Sequence, residues 1–200
     1  MKPFSQACEN NKVPILNEIS LHLSECHDLL EIGSGTGQHA VFFAENLPAL
    51  LWQTSDRIEN HAGIIQWIEE SKLSNVKPPI ELNVASSGWP AIYFDGVFTS
   101  NTCHIMHWHE VVAMFEGVSR ILSVDGHFII YGPFNYHNNY TSESNRRFDD
   151  MLKERDPGSG LRDFEDLELL AKSNSLSLLK DVAMPANNHL LIFKKYKRKA

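Results

Sequence analysis

Apolar positions along this chain change period repeatedly. Residues 13–26 carry Ile15, Leu16, Ile19 and Leu23 on one helical face, and residues 29–32 form a short continuous apolar run that predicts a strand. Helical spacing returns over residues 38–45, and an apolar run over 50–54 predicts a second strand. Residues 58–72 are amphipathic, with Ile64, Ile65 and Ile68 expected to point inward. Strands are predicted over 80–84 and 96–99. A helix follows over 110–122, with Val111, Met114, Phe115, Val118 and Ile121 or Leu122 apolar, then a strand over 126–131. Such alternation implies βαβ units and a mostly parallel sheet with helices on both faces.

The pattern changes after Tyr131. Residues 132–162 are polar, aromatic and turn-rich, with one helix predicted near 143–154 and closed by Pro157 and Gly158. Residues 163–172 predict a helix whose acidic first turn (Asp163, Glu165, Asp166) suits its positive end. Residues 176–182 and 189–195 predict two strands, joined closely enough for an antiparallel hairpin, with Asn187 and Asn188 shaping the turn. The expected organisation is one domain over residues 1–200, with residues 132–162 as a lid or insertion.

Composition narrows the function. The 42% apolar and 22% charged fractions are those of an ordinary globular chain. A formal net charge of −7 argues against a nucleic-acid or membrane-surface binder, whose affinity comes from neutralising phosphates. The basic tail from Lys194 to Lys199 reads as a solvated end. Cys8, Cys26 and Cys103 are odd in number and widely spaced, so a disulfide framework is not expected. No apolar run reaches the roughly 18 residues of a membrane span, and the first residues lack an apolar signal core, so the expected location is cytoplasmic.

Chemistry concentrates at "LLEIGSGTGQHA", residues 29–40. A glycine loop between a strand and a helix offers free backbone N–H groups to a ligand, and missing Cβ atoms allow close approach. The dinucleotide fingerprint needs G-x-G-x-x-G, whereas here the order is Gly33-x-Gly35-x-Gly37 and Gln38 takes the last fingerprint position. An acid follows at the end of the second strand, in Trp52-Gln53-Thr54-Ser55-Asp56. A doubly wound fold uses a carboxylate there for ribose hydroxyls, although Asp56 also suits a helix N-cap.

In open α/β sheets, ligands bind beyond the carboxyl ends of strands. That selects Asn101, Thr102, Cys103 and His104 after one strand, and Tyr131, Pro133, Phe134, Asn135 and Tyr136 after the next. His104 is the candidate general base. His104, His107 and His109 do not make a metal set: His109 leaves the helical face shared by the other two, and no Cys or carboxylate completes the ligands. Phe134, Tyr136 and Tyr140 could enclose a small acceptor or fill a satellite core. Arg146, Arg147, Arg155 and Arg162 lie among aspartates and read as surface ion pairs, with a carboxylate or phosphate clamp from Arg155 or Arg162 as the alternative. The helix start at Asn11-Lys12 directly precedes the core and could close over a ligand.

The stretch Glu31-Ile-Gly33-Ser34-Gly35-Thr-Gly37 resembles the first motif of class I S-adenosylmethionine-dependent methyltransferases, E/D-x-G-x-G-x-G. The resemblance implies an α/β, Rossmann-like, doubly wound and mostly parallel seven-stranded sheet with a C-terminal antiparallel hairpin. It implies S-adenosyl-L-methionine as cofactor. It gives Glu31 the methionine ammonium, the glycine loop the methionine and ribose portions, and Asp56 the ribose. Asn83 stands where that family usually has Asp near the adenine amine, Val84 and Trp89 flank the adenine, and Asn101 ends the fourth strand near the reacting sulfonium. "NKVPIL", "WQTSDR", "NTCHIMHW", "YGPFNY", "TSESN", "RDPGSGLRD" and "MPANN", in this order, resemble the domain of unknown function 938 family over nearly the whole chain. "NTCHIM" lacks the N/D-P-P-Y/F motif of base- and glutamine-amine methyltransferases. The reading is methyl transfer to a small molecule, with Asn11, Tyr131, Phe134, Tyr136 and Arg162 as candidate acceptor contacts. The alternatives are a non-catalytic, cofactor- or partner-binding member of the fold, and an NAD(P)-dependent oxidoreductase. The glycine spacing and the lack of a Tyr-x-x-x-Lys pair count against the latter.

Overall fold

The computed structural model describes residues 2–86 and 88–197. Among these residues, seven strands form one sheet and two short strands pair beside it. In chain order the elements are α1 (Gln6–Leu23), β1 (Asp28–Ile32), α2 (Gln38–Asn46), β2 (Leu51–Asp56), α3 (Ile58–Ser71), β3 (Val76–Glu81), β4 (Phe94–Ser100), α4 (Trp108–Ile121), β5 (Leu122–Gly132), β6 (Phe134–Asn135), α5 (Glu143–Arg155), β7 (Arg162–Asp163), α6 (Phe164–Ser173), β8 (Leu176–Met184) and β9 (Asn188–Lys195). The large sheet runs β3-β2-β1-β4-β5-β9-β8. β1 to β5 are mutually parallel where they pair, and β9 is antiparallel to both β5 and β8. The expected α/β sheet with a terminal hairpin is therefore the observed one.

Period-2 alternation decides which helices cover which face. Leu30 and Ile32 of β1, Val97 of β4, and Phe128 and Ile130 of β5 pack with Met114 of α4 and Leu167 of α6. Leu29, Phe98, Ile129 and Tyr131 point the other way, into a cluster with Ile15 and Ile19 of α1 and Phe43 of α2. Glu31 is in phase with Leu29, so the first-strand acid lies on the α1/α2 face.

Several boundaries differ from the sequence reading. Helix α1 begins at Gln6 rather than residue 13 because Ser5 caps it, its hydroxyl accepting from the Cys8 N–H, and the helix carries Pro14 inside. Strand β3 lies at Val76–Glu81 rather than 80–84. It is an edge strand, the one sheet position where Pro78 and Pro79 are tolerated. Ile65 is exposed, and Ile64 alone of its trio is fully buried. Lys194 pairs with Asp125 at 2.9 Å, and the Lys195 ammonium donates to the Ser119 and Leu122 carbonyls at 2.6 and 2.5 Å. This part of the basic tail therefore serves the negative end of α4 rather than fraying. Arg198 and Lys199 of the same tail lie outside the described residues.

Gly37 joins the loop to α2 at φ +90°, and a Cβ there would sit 3.1 Å from the Ile64 Cα of α3. Gly37→Ala is expected to cost about 1–2 kcal/mol, from left-handed strain and a close helix contact. Urea unfolding of the variant checks this.

Candidate functional site

The strand order reverses between β1 and β4, which run side by side while their connections lead to opposite ends of the sheet. A doubly wound sheet opens a crevice at such a point. Here it holds the glycine loop after β1 and Asn101 after β4. Asn101 sits at φ +58°, a conformation asparagine tolerates, and its N–H donates to the Tyr131 carbonyl at 2.8 Å.

Two cavities meet there. One, of about 370 Å³, is lined by Asp56, Asn60, Leu82, Asn83, Val84 and Met106. The other, of about 670 Å³, is lined by Glu31, Asn11, His39, Tyr131, His104 and Phe148. Gly33, Gly35, Ser100 and Asn101 line both. No atom stands within 4 Å of the position a Cβ would take at Gly35, so the loop leaves open space where the cavities join.

The two acids are built into the loop from opposite sides. Asp56 Oδ2 accepts from the Gly35 N–H at 2.7 Å, and Oδ1 accepts from the Arg57 N–H and the Asn60 amide at 2.7 and 2.8 Å. A carboxylate offers about four acceptor positions, so Asp56 keeps about one for a ligand. Its bond to the Arg57 N–H also gives it part of the capping role, although the N-cap residue itself is Arg57. Glu31 is buried, and its Oε2 accepts from the Ser34 hydroxyl at 2.7 Å and from the Trp52 indole at 3.1 Å. Burial pushes its carboxyl up to about 7, against the pull of those two bonds.

Asn11 lies within α1 rather than at its start, and its Oδ1 bonds His39 Nε2 at 2.7 Å. Gln38 ties α1 to the loop: its Oε1 accepts from the Ser5 N–H at 2.5 Å, and its amide donates to Glu9 at 2.9 Å. Tyr131 lies beside Asn11 on the same cavity wall, and burial raises its phenol. His104 packs edge-on against Phe148 at 5.2 Å between ring centroids. Burial and the nearby Arg162 guanidinium hold its imidazole down to about 4, with no hydrogen bond to offset them.

Other sequence candidates lie elsewhere. Asn83 falls in the turn after β3, its Oδ1 accepting from the Ala85 N–H at 3.1 Å, and so borders the smaller cavity from a loop. Val84 lines that cavity, whereas Trp89 turns away, its indole donating to the Val84 carbonyl at 3.1 Å. Phe134 does not line the larger cavity: it is buried in the α4/α6 core, where its apolar ring gains most. Tyr136 is also removed from it, stacked on Phe164 with its hydroxyl between Asp181 and His189. Arg162 forms no clamp in the larger cavity. Its guanidinium donates to the Cys103 carbonyl at 3.0 Å, the Gly158 carbonyl at 2.9 Å and the Met106 carbonyl, fastening the segment that carries His104. Arg162→Ala is expected to lower stability by about 1–2 kcal/mol, because charge-assisted bonds to carbonyls are lost and water replaces them in part. Thermal unfolding checks it. Arg146 is a surface pair with Glu143 at 2.6 Å, whereas Asp149 is fully buried and accepts from Tyr140, Lys153 and the Leu161 N–H.

Sequence reasoning missed His39, Phe148, Asn145 and the 185–188 loop as cavity walls. His39 lies within the glycine segment itself, one residue past Gln38, and that position in the first turn of α2 was the available signal. Phe148 and Asn145 are spaced i, i+3 on α5, a weaker one.

The model of the family described as a protein of unknown function, DUF938, matches residues 2–195. Solved structures also match. An O-methyltransferase family protein from Burkholderia thailandensis superposes with TM-score 0.84 at 14% identity, over 96% of this chain and 58% of that one. Human N-acetylserotonin methyltransferase, solved with SAM, gives TM-score 0.80 at 13% identity, over 96% and 53%. An O-methyltransferase family 2 protein from Planctomyces limnophilus, solved with apigenin, gives TM-score 0.75 at 14% identity, over 84% and 50%. This chain thus spans about half to three-fifths of those proteins' length, and the likeness establishes a shared fold.

Proposed function

The chain belongs to the DUF938 family and has the fold of class I S-adenosylmethionine-dependent methyltransferases, and on that premise we propose that it transfers a methyl group from S-adenosylmethionine to a small-molecule acceptor. The observation that carries this reading is the pair of cavities meeting at Gly33, Gly35 and Asn101, with Asp56 on one side and Glu31 on the other. The residues suit the cofactor: open space at Gly35, a remaining acceptor position on Asp56, and an acid at Glu31 for an ammonium. The apolar Leu82, Val84 and Met106 suit a nucleobase. Structural neighbours named as methyltransferases, one solved with SAM and one with apigenin, favour the same cofactor and a small acceptor.

When bound, the cofactor supplies a methyl carbon activated by positive sulfur, so the protein's main task is alignment. Asp56 accepts a ribose hydroxyl while its bond to the Gly35 N–H holds the loop. Glu31 accepts from the ammonium. Asn101, fixed by its backbone bond to Tyr131, borders both cavities where they join. His104 is neutral at pH 7 and makes no protein hydrogen bond through its ring, so it is available to take an acceptor proton. Residues 132–162 supply Phe148 and Asn145 to the acceptor cavity and act as its roof. Titration calorimetry tests the reading: S-adenosylhomocysteine should bind tightly and NADH should not. The reverse would favour an oxidoreductase, and binding of neither would leave the fold without this function.

A further inference from the structure

Resting on the methyltransferase reading, we propose that the acceptor is an uncharged small molecule that presents one O–H or S–H to His104 and lays a flat apolar face against Phe148 and Pro133. Among the described residues, no lysine or arginine lines the larger cavity, and Glu31, its one acid, is committed to the cofactor. Its two imidazoles carry no positive charge at pH 7, since burial holds both His39 and His104 down to about 4. His39 is further occupied by Asn11 and by stacking on Phe43.

Three helix starts border this cavity: that of α2, which no side chain caps, belongs to the glycine loop assigned to the cofactor, and the other two are closed to an anion. Ser5 caps α1 and Ser142 caps α5 through their hydroxyls, and Glu9 and Glu143 stand in the respective first turns. The amides overhead are also engaged: Asn145 donates to Thr141 and to the Asn187 carbonyl, and Asn188 to the Pro185 carbonyl. A carboxylate or phosphate entering this cavity would meet no lysine or arginine side chain on its walls, and burying an ion without a direct partner is strongly unfavourable. A neutral ring meets Phe148, Pro133 and Ala186, and the buried His104 lines the same cavity.

The transfer balances on this acceptor. The heteroatom's lone pair forms the bond to the methyl carbon, and the electron pair of the broken carbon–sulfur bond stays on sulfur as a neutral thioether. The O–H or S–H proton passes to a His104 ring nitrogen. The product is an uncharged methyl ether or thioether.

Two measurements test the proposal. NMR of histidine-labelled protein saturated with S-adenosylhomocysteine, with His104 assigned through His104→Gln, should show that ring neutral from pH 6 to pH 8. A midpoint above 7 would overturn the proposal, because the cavity would then hold a cation. Methyl-labelled cofactor incubated with the protein and a deproteinised small-molecule extract should yield a labelled product that passes both anion and cation exchangers at pH 7. A labelled product, resolved from the unreacted cationic cofactor, that is retained on either exchanger overturns the proposal, and so does the absence of labelled product while S-adenosylhomocysteine still binds. Loss of that binding instead defeats the methyltransferase reading itself, whatever the charge on His104.

Discussion

Glu31→Gln is expected to make the cofactor-free protein more stable at pH 8 and a poorer cofactor binder. The two effects have opposite signs because one carboxylate causes both. Burial raises the Glu31 carboxyl from 4.5 to about 7. The folded state therefore holds a proton that the unfolded chain has released, between those two values. The contribution is favourable below pH 4.5, is lost as pH rises through 7, and above 7 leaves a cost of about 3 kcal/mol for a charged group in a desolvated place. Glutamine keeps the shape and can accept from Ser34 and Trp52 without that charge. Thermal unfolding should show the variant ahead of the parent at pH 8 and level with it near pH 4. The same charge faces the ammonium of the proposed cofactor, so S-adenosylhomocysteine affinity should fall at least tenfold in the variant. In the parent, affinity should weaken as pH drops below 7, because Glu31 must first lose its proton, and this dependence should vanish in the variant. Titration calorimetry between pH 6 and pH 8 reads both.

Asp56→Ala is expected to weaken cofactor binding about a hundredfold, near 3 kcal/mol. The substitution removes the carboxylate proposed to hold the ribose. It also strips the Gly35 N–H of its partner and releases Asn60, so the loop loses the bond that fixes its opening. Asp56→Asn separates these contributions: an amide oxygen can still accept from Gly35, so the loop persists while the charge is lost. Unchanged affinity in Asp56→Ala would remove the ribose assignment.

The sheet was legible because its strands are apolar runs flanked by turn residues, and because burial on both faces leaves little room for another register. The glycine loop and Asp56 were legible for a related reason: close approach and a strand-tip acid demand particular residue types at a fixed spacing. Errors arose where tertiary context overrides a local signal. Helical spacing is evident only from residue 13, yet the Ser5 cap and the Gln38 bonds to Ser5 and Glu9 carry α1 back over the loop. The expected strand over 80–84 starts earlier, at Val76, because an edge strand needs no donor from Pro78 and Pro79. Phe134 and Tyr136 follow a strand end as ligand contacts would, but a short strand pair with Arg162 and Asp163 turns Phe134 into the core. Arg162 offers a sequence reader only its charge. That three carbonyls, two of them more than fifty residues away, accept its protons is visible only in three dimensions.

A crystal structure of the protein soaked with S-adenosylhomocysteine addresses the central claim most directly. The adenosine should lie in the smaller cavity, its ribose on Asp56 and its base along Leu82 and Val84, with the amino-acid end passing Gly35 toward Glu31. A ligand lodged elsewhere, or a crevice still vacant at saturating concentration, would contradict the account.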